Sequence, residues 1–199
     1  MKNFESKKPG VFICILLTAV LLTCCKSTQR FSGNAELTIF VIDENDSPVK
    51  NVEVHLKSGA VSEAALTNQN GLCVFHDITS GEYSVFSSKE GFANSQVQIC
   101  FVERTEVFCI KVFSSEYIFE QVENLYERSS YEQAIELLEK IDTGKNQMLQ
   151  NVKSFYISYG FAKLEKKKEA KDELNKIKAE PPFDDSAQKY KIAIQKMLE

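Results

Sequence analysis

Tryptophan is absent from the 199-residue sequence, and only two histidines are present. His55 alternates outward on a predicted strand and His76 lies beside a turn, and neither has the spaced Cys, His or Asp partners that a metal site needs. The sequence also lacks the Gly-x-Ser-x-Gly, phosphate-loop and dinucleotide-binding motifs. We therefore expect no metal site, no cofactor and no enzymatic activity.

An excess of basic residues is absent too. The chain has 24 Lys and Arg against 28 Asp and Glu, which gives a net charge of −4. The most basic segment, KLEKKKEAK at 163–171, is interrupted by glutamates, as a solvated helix face is. We therefore expect no nucleic acid partner.

A long apolar run is likewise missing. The stretch VFICILLTAVLLTCC at 11–25 is the most apolar in the chain, but its apolar middle, 11–23, is shorter than the roughly 20 residues of a membrane-spanning helix. Three lysines precede it: Lys2, Lys7 and Lys8. A basic start before a short apolar middle predicts an export signal.

The end of this stretch, LLTCC at 21–25, resembles a bacterial lipobox, in which a peptidase cuts just before a cysteine that carries diacylglycerol. The resemblance implies lipidation of Cys24 or Cys25, with the choice open because neither follows Gly, Ala or Ser. An ordinary secretory signal or an uncleaved anchor is the other interpretation. Lipidation would place the chain on a bacterial membrane, at the periplasmic side or the cell surface.

The composition divides the chain into four predicted parts. They are a signal peptide at 1–23, a lipidated cysteine with a polar tether at 24–34, a β domain at 35–113 and a helical domain at 114–199. Removal of the signal, with its three Lys and one Glu, would change the net charge from −4 to −6.

The β domain is predicted from short runs of apolar alternation separated by turn residues. The predicted strands are 36–42, 51–56, 72–75, 81–86, 97–102 and 107–113. Val52, Val54 and Leu56 should point inward, and the Asn-Gly pair at 70–71 should form a turn with positive φ. About seven short strands with regular turns predict an all-β sandwich of Greek-key type.

Three segments resemble carboxypeptidase regulatory-like domains, which belong with the transthyretin-like sandwiches. DENDSPVKNVEVHL (43–56) resembles the first hairpin of the family, TNQNGLCVFHDITSGEYSV (67–85) its Asn-Gly turn and Gly-x-Tyr strand, and SSKEGFANSQVQI (87–99) its Gly-Phe segment. The resemblance covers Glu36 to Phe113. It implies a non-catalytic accessory module that stabilises, presents or binds.

Two cysteines near the end of the β domain could form a disulfide. If residues 104–105 are the loop of a hairpin, Cys100 lies opposite Cys109 at a site without backbone hydrogen bonds, where side chains approach closely. Both would point outward, because Phe101 and Phe108 take the inner face. A disulfide and two free thiols both remain open, since a longer loop would shift the register.

After position 113 the apolar period changes from two to about 3.6, which predicts helices. The predicted helices are 116–128, 131–141, 147–164, 167–179 and 184–197. Before the second helix, the pairs Ser129/Glu132 and Ser130/Gln133 both fit a capping box. The predicted fold class is therefore a two-domain chain with an all-β sandwich followed by helical hairpin repeats.

A small residue and two apolar residues recur in these helices at a shift of 36. Ala134, Leu138 and Ile141 are matched by Ala170, Leu174 and Ile177. The spacing resembles tetratricopeptide repeats, and Tyr156, Tyr159 and Gly160 lie near the small-residue position of the family. The resemblance implies two repeats and a capping helix. Because this is fewer than the three repeats usually needed, the helices should lean on the sandwich or on a partner.

Aromatic residues are frequent on the helices. They are Tyr117, Tyr126, Tyr131, Phe155, Tyr156, Tyr159 and Phe161. They could fill the core between the helices or form a groove for an extended peptide or a partner helix. In the second case the candidate partner-binding residues are Tyr117, Tyr126, Tyr156 and Tyr159.

The order of the parts predicts a non-catalytic, lipid-anchored protein of the cell envelope. Its helices would bind another envelope protein or peptide, as an adaptor or scaffold. The alternative is that the sandwich binds a glycan or cell-wall polymer, for which the absence of tryptophan leaves few aromatic candidates.

Overall fold

The computed structural model describes residues 31–59, 61–178 and 184–198, and the residues from Phe31 onward form one compact unit. Seven strands come first: β1 (Glu36–Ile42), β2 (Glu53–Ser58), β3 (Val61–Leu66), β4 (Leu72–His76), β5 (Gly81–Ser88), β6 (Ser95–Phe101) and β7 (Thr105–Lys111). Five helices follow: α1 (Ser115–Glu127), α2 (Tyr131–Glu139), α3 (Gln147–Lys163), α4 (Lys167–Lys176) and α5 (Asp184–Leu198). The predicted order of a β region before a helical region is confirmed.

The predicted signal peptide, with Cys24 and Cys25, lies outside the described residues. Within the described ranges, no helix has both the length and the apolar character that crossing a bilayer requires.

The seven strands form two sheets that share one core. The first sheet has the order β4-β1-β7 and the second the order β3-β2-β5-β6, and the β1–β7 pairing is parallel while the others are antiparallel. Period-two alternation buries one face of each sheet, as predicted for Val52, Val54 and Leu56. The largest fully buried side chains of this core are Leu37, Ile39, Leu56, Tyr83 and Phe101.

The predicted turn at 70–71 lies against the end of β1, and Gly71 is the residue of the pair that has a positive φ. Gly71 has a φ of +73°, and an added Cβ there would lie 2.6 Å from the Val41 carbonyl oxygen. The Val41 N–H in turn donates to the Gly71 carbonyl at 2.8 Å. The position requires glycine both for its left-handed backbone and for this close approach.

Strand β3 was not among the predicted strands. Among the described residues it is an edge strand that pairs with β2, in a register that sets Glu53 opposite Leu66. Exposure at Ser62, Glu63 and Ala64 does not alternate, so the segment has no period-two apolar pattern to detect.

The predicted hairpin of the last two strands is wrong. β6 pairs with β5 in the four-stranded sheet, whereas β7 pairs in parallel with β1 in the three-stranded sheet. Cys100 and Cys109 therefore lie on the exposed faces of two different sheets, and both are free thiols. Cys100 and Cys109 do not lie opposite each other, because the short link at 102–104 carries the chain from one sheet to the other.

The helix boundaries agree with the prediction within a few residues, but the predicted capping box of α2 is wrong. Ser130 precedes α2 without a side-chain cap hydrogen bond, and its ψ of 60° is outside the extended range that aims a cap oxygen at the helix. Ser129 has a φ of +57°, because these two residues close α1 through backbone bonds to the Tyr126 and Leu125 carbonyls.

The 36-residue shift is matched by burial in the structure. Ala134, Leu138, Ile141, Ala170, Leu174 and Ile177 are all buried. The small residue that meets the fourth helix is Ser158, whose hydroxyl donates to the Ala170 carbonyl at 2.7 Å. Gly160 faces the other side, where an added Cβ would lie 2.9 Å from Tyr126 Oη and 3.0 Å from Ile135 Cγ1.

The β5–β6 loop joins the sandwich to the start of α1. The Ala93 N–H donates to the Phe113 carbonyl at 2.8 Å, and the Ser115 N–H donates to the Gly91 carbonyl at 2.8 Å. The Phe92–Ser114 pair forms a β-bridge between these bonds.

The same loop also binds the segment after α2. The Asn94 N–H donates to the Lys140 carbonyl at 2.7 Å, and the Asp142 N–H donates to the Phe92 carbonyl at 2.8 Å. A little further on, the Lys145 N–H donates to Glu90 Oε2 at 3.0 Å. The helices therefore lean on the sandwich through a short patch of strand-like backbone pairing.

A carboxylate strengthens this junction. Glu44, in the turn after β1, accepts from the Ser114 N–H at 3.0 Å and from the Ser114 hydroxyl at 2.5 Å. Ser114 is the N-cap of α1, and its Oγ also accepts from the Tyr117 N–H. Burial alone would raise the pKa of Glu44, but the bonds from Ser114, with help from Lys111, outweigh burial and lower it.

We predict that Glu44→Gln lowers the free energy of unfolding by about 1 kcal/mol at neutral pH, because it removes a charge-assisted bond. The folded-state pKa is lowered, so the Glu44 contribution is complete above the ordinary glutamate pKa of about 4.3 and is lost as the pH falls through the lowered value. Urea unfolding of both proteins at neutral and acidic pH measures this contribution. Glu63→Gln, on an exposed edge strand, is the control, and an equal cost for both variants would contradict the prediction.

We predict that Gly160→Ala destabilises the protein by about 1 kcal/mol, because crowding against Tyr126 and Ile135 exceeds the gain in helix propensity. The cost should be smaller in a Tyr126→Phe background, which lacks the crowded hydroxyl. Thermal unfolding of the four proteins of this cycle gives the coupling. Additive effects would show that the hydroxyl contact is not the source of the strain.

We predict that alkylation of the native protein modifies Cys100 and Cys109 and spares Cys73. The first two thiols are exposed, whereas Cys73 is buried in the core, where burial raises its pKa to about 11 and suppresses the thiolate. Peptide mass spectrometry before and after denaturation reads each site separately. A Cys100–Cys109 disulfide in that experiment would overturn the strand arrangement described above.

Candidate functional site

Helices α1 and α3 enclose a groove of about 420 Å³, which we call the aromatic groove. Its lining residues are Glu123, Tyr126, Glu127, Phe155, Tyr156 and Tyr159. The first three belong to α1 and the others to α3. Residues three and four apart share a helix face, so each helix presents its groove residues together.

The rings of the groove contact one another across the helices. The Tyr126 ring centroid lies 5.2 Å from that of Tyr159 and 6.2 Å from that of Tyr156, the latter at an interplanar angle of 15°. Phe155 stacks on Tyr190 of α5 with centroids 4.5 Å apart. Helices α1, α3 and α5 thus contribute one band of aromatic rings.

Hydrogen bonds from two tyrosine hydroxyls hold the side chains of the groove in position. Tyr126 Oη donates to the Tyr156 carbonyl at 2.5 Å, and Tyr156 Oη donates to Glu123 Oε1 at 2.7 Å. Burial raises the pKa of Tyr126, and burial together with Glu123 raises the pKa of Tyr156 to about 12. Both hydroxyls therefore stay protonated at neutral pH and act as donors.

The rim of the groove is acidic on one side. Helix α1 carries exposed glutamates at spacings of four, three and four: Glu116, Glu120, Glu123 and Glu127. At the other side, the Lys163 ammonium lies 5.5 Å from the centre of the Tyr159 ring. This distance is within the range of a cation–π contact.

The structure brings together three of the four predicted partner-binding residues. Tyr126, Tyr156 and Tyr159 line the aromatic groove, but Tyr117 stacks on Phe113 with centroids 5.2 Å apart and is not among its lining residues. The sequence does not single out Glu123 and Glu127, because they belong to a row of exposed glutamates that resembles any solvated helix face. That row does not show which of its members meets α3.

A second, polar cavity of about 340 Å³ lies between α2, α3 and α4. Its lining residues are Glu139, Thr143, Gln150, Lys153, Ser154, Ile157, Glu173 and Lys176. Lys153 donates to the Glu139 and Ile141 carbonyls at 3.1 and 2.8 Å, and burial lowers its pKa. This lysine caps the end of α2, and Lys176 pairs with Glu173, so the charges here already serve the fold.

The histidines pair with neighbouring carboxylates on the sheets. His55 Nε2 lies 3.2 Å from Glu53 Oε1, and His76 Nδ1 lies 3.1 Å from Glu36 Oε1. In the part of the chain that the structure describes, no group of three or more His, Cys, Asp and Glu side chains could hold a metal ion. Cys73 is buried in the core as a protonated thiol.

Comparison with known proteins gives no family. No family model matches the chain, and no curated protein matches it. Solved structures with partial similarity include the Bacillus anthracis TIE protein, at 18% identity over 42% of this chain and 17% of that chain with a TM-score of 0.35. The full-length major pilin SpaD from Corynebacterium diphtheriae matches at 14% identity over 42% of this chain and 30% of that chain, with a TM-score of 0.37.

A third similar structure is the 5-hydroxyisourate hydrolase of Klebsiella pneumoniae, at 16% identity over 42% of this chain and 91% of that chain, with a TM-score of 0.32. The chain spans less than a third of the length of the TIE protein and of the pilin. At TM-scores below 0.5 these similarities carry no argument about function.

Proposed function

We propose that this protein is a non-catalytic adaptor of the cell envelope whose helices bind a segment of another protein in the aromatic groove. The observation that carries the proposal is the groove itself, in which Tyr126, Tyr156 and Tyr159 meet beside two carboxylates. Tyrosine provides large contact area at a low cost in conformational entropy, and it is enriched at the energetic centres of protein interfaces.

The two sides of α3 support this use of the tyrosines. Ser154, Ile157 and Ser158 are buried and hold the helix in the bundle. Tyr156 and Tyr159 are only half-buried and line the groove. The core of the bundle is therefore complete without full burial of these rings, which leaves their outer surface for a partner.

We also propose the finer features that the sequence suggests. The 36-residue recurrence supports tetratricopeptide-like helix pairs, because both sets of positions are buried. The Gly71 turn and the two-sheet core support a carboxypeptidase regulatory-like sandwich of Greek-key type. The sequence LLTCC supports lipid attachment at Cys24 or Cys25, which would hold the adaptor at a bacterial membrane.

Glycan or polymer binding by the sandwich has less support. Phe75, Tyr83 and Phe101 are buried in its core and do not offer a face to a sugar. Phe40, Phe86 and Phe108 are half-buried, and they lie on three different strands. The helices, by contrast, form a groove in which several aromatic side chains are brought together.

We predict that a photo-crosslinking residue at position 163, exposed beside the Tyr159 ring, joins the protein to a partner in intact cells of the source organism, whereas one at the exposed position 63 on the sandwich does not. Tyr159→Ala should lower the yield at position 163 about tenfold, because a central tyrosine is lost. Tyr159→Phe, which keeps the ring, should retain most of it.

Tyr117→Ala is the matched control for this experiment, because it removes a tyrosine outside the groove. Circular dichroism confirms that each variant is folded. If the crosslinks formed from position 63 and not from position 163, or if Tyr159→Ala had no effect, the groove would not be the binding site.

A further inference from the structure

We propose that the aromatic groove recognises a cationic side chain, arginine or lysine, presented by an extended segment of the partner protein. The inference rests on the proposed function and names the chemistry of its ligand. Its basis is the juxtaposition of three tyrosine rings with the carboxylates of Glu123 and Glu127.

The rings favour a cation. A guanidinium or ammonium group is attracted to the face of a tyrosine within about 6 Å of the ring centre. The chain itself shows this preference, since the Lys163 ammonium lies 5.5 Å from the Tyr159 centroid. Tyr126 and Tyr156 line the same groove, so a cation that enters it comes close to their rings.

The carboxylates add charge complementarity. The described lining of the groove includes two glutamates and neither lysine nor arginine. Tyr156 holds Glu123 beside the rings, because its hydroxyl donates to Glu123 Oε1 at 2.7 Å. A carboxylate has two oxygens, so Glu123 can accept further bonds from an arginine.

The length of the glutamate row on α1 indicates the spacing of basic residues that a bound segment would need. Glu116 and Glu127 are eleven positions apart, which is about 16 Å along a helix at 1.5 Å per residue. An extended chain covers that length in about five residues at 3.3 Å each. A segment with two basic residues about five positions apart would therefore meet both ends of the stripe.

A negatively charged or purely apolar occupant fits less well. Anionic polymers would be repelled by the α1 glutamates, and an apolar helix would bury Glu123 and Glu127 without a counter-charge. The arrangement therefore favours a basic extended segment over these occupants.

The test uses the full chain in a neutral detergent and fluorescence anisotropy of a short Gly–Ser peptide with two arginines five residues apart. Its matched control has citrulline in place of arginine, which keeps the shape and removes the charge. We expect the arginine peptide to bind at least about tenfold more tightly, and the preference to decrease with salt. A lysine peptide should also exceed the citrulline peptide.

The double variant Glu123→Gln/Glu127→Gln should weaken arginine-peptide binding about tenfold. Glu63→Gln/Glu82→Gln makes the same change in net charge at exposed positions of the sandwich and should leave binding unchanged. Equal binding of the arginine and citrulline peptides, tighter binding of an apolar peptide, or an equal effect of both double variants would overturn the inference.

The peptide-binding experiment and the crosslinking experiment test the two proposals separately. Crosslinks from position 163 without an arginine preference would rule out the cationic ligand and leave the adaptor function supported. If the groove bound the arginine peptide selectively but no crosslinks formed in cells, cation recognition would be supported and the adaptor function would be contradicted.

Discussion

The loop between β5 and β6 is bonded on both sides by the helical region, and the rest of the fold depends on this pairing. One side binds the start of α1 through Phe113 and Ser115, and the other binds the end of α2 through Lys140 and Asp142. Two helix ends are thus fixed on one edge of the sandwich. Ala93 of the same loop is buried in the core of the helices, so this segment joins the two regions by backbone pairing and by packing.

The position of the aromatic groove follows from that anchoring. The sandwich orients α1, and α1 then meets α3 where Gly160 permits a close approach of Tyr126. The Tyr126 hydroxyl bonds to the Tyr156 carbonyl, and the Tyr156 hydroxyl bonds to Glu123, so each link positions the next one. A groove built through such a chain of contacts is preorganised, which reduces the cost of ordering side chains when a partner binds.

Much of the fold was predictable because its signals are local. The alternation at Val52, Val54 and Leu56 predicts an inward face, and the 36-residue recurrence predicts equivalent buried positions. The sequence pattern gave wrong or missing predictions where the arrangement of the strands is not encoded in neighbouring residues. Strand β3 lacks alternation because it is an exposed edge, and the link at 102–104 resembles a hairpin turn although it changes sheets.

The sequence by itself determined the order of a β region before a helical region, nearly all helix boundaries, and the tyrosines as candidate binding residues, because periodicity and turn residues act within a few positions. Only the tertiary structure decided that Cys100 and Cys109 belong to different sheets, that Tyr117 lies outside the groove, and that Glu123 lies inside it. Those outcomes depend on contacts between residues far apart in the chain, such as Tyr156 with Glu123, and no local pattern specifies which surfaces meet.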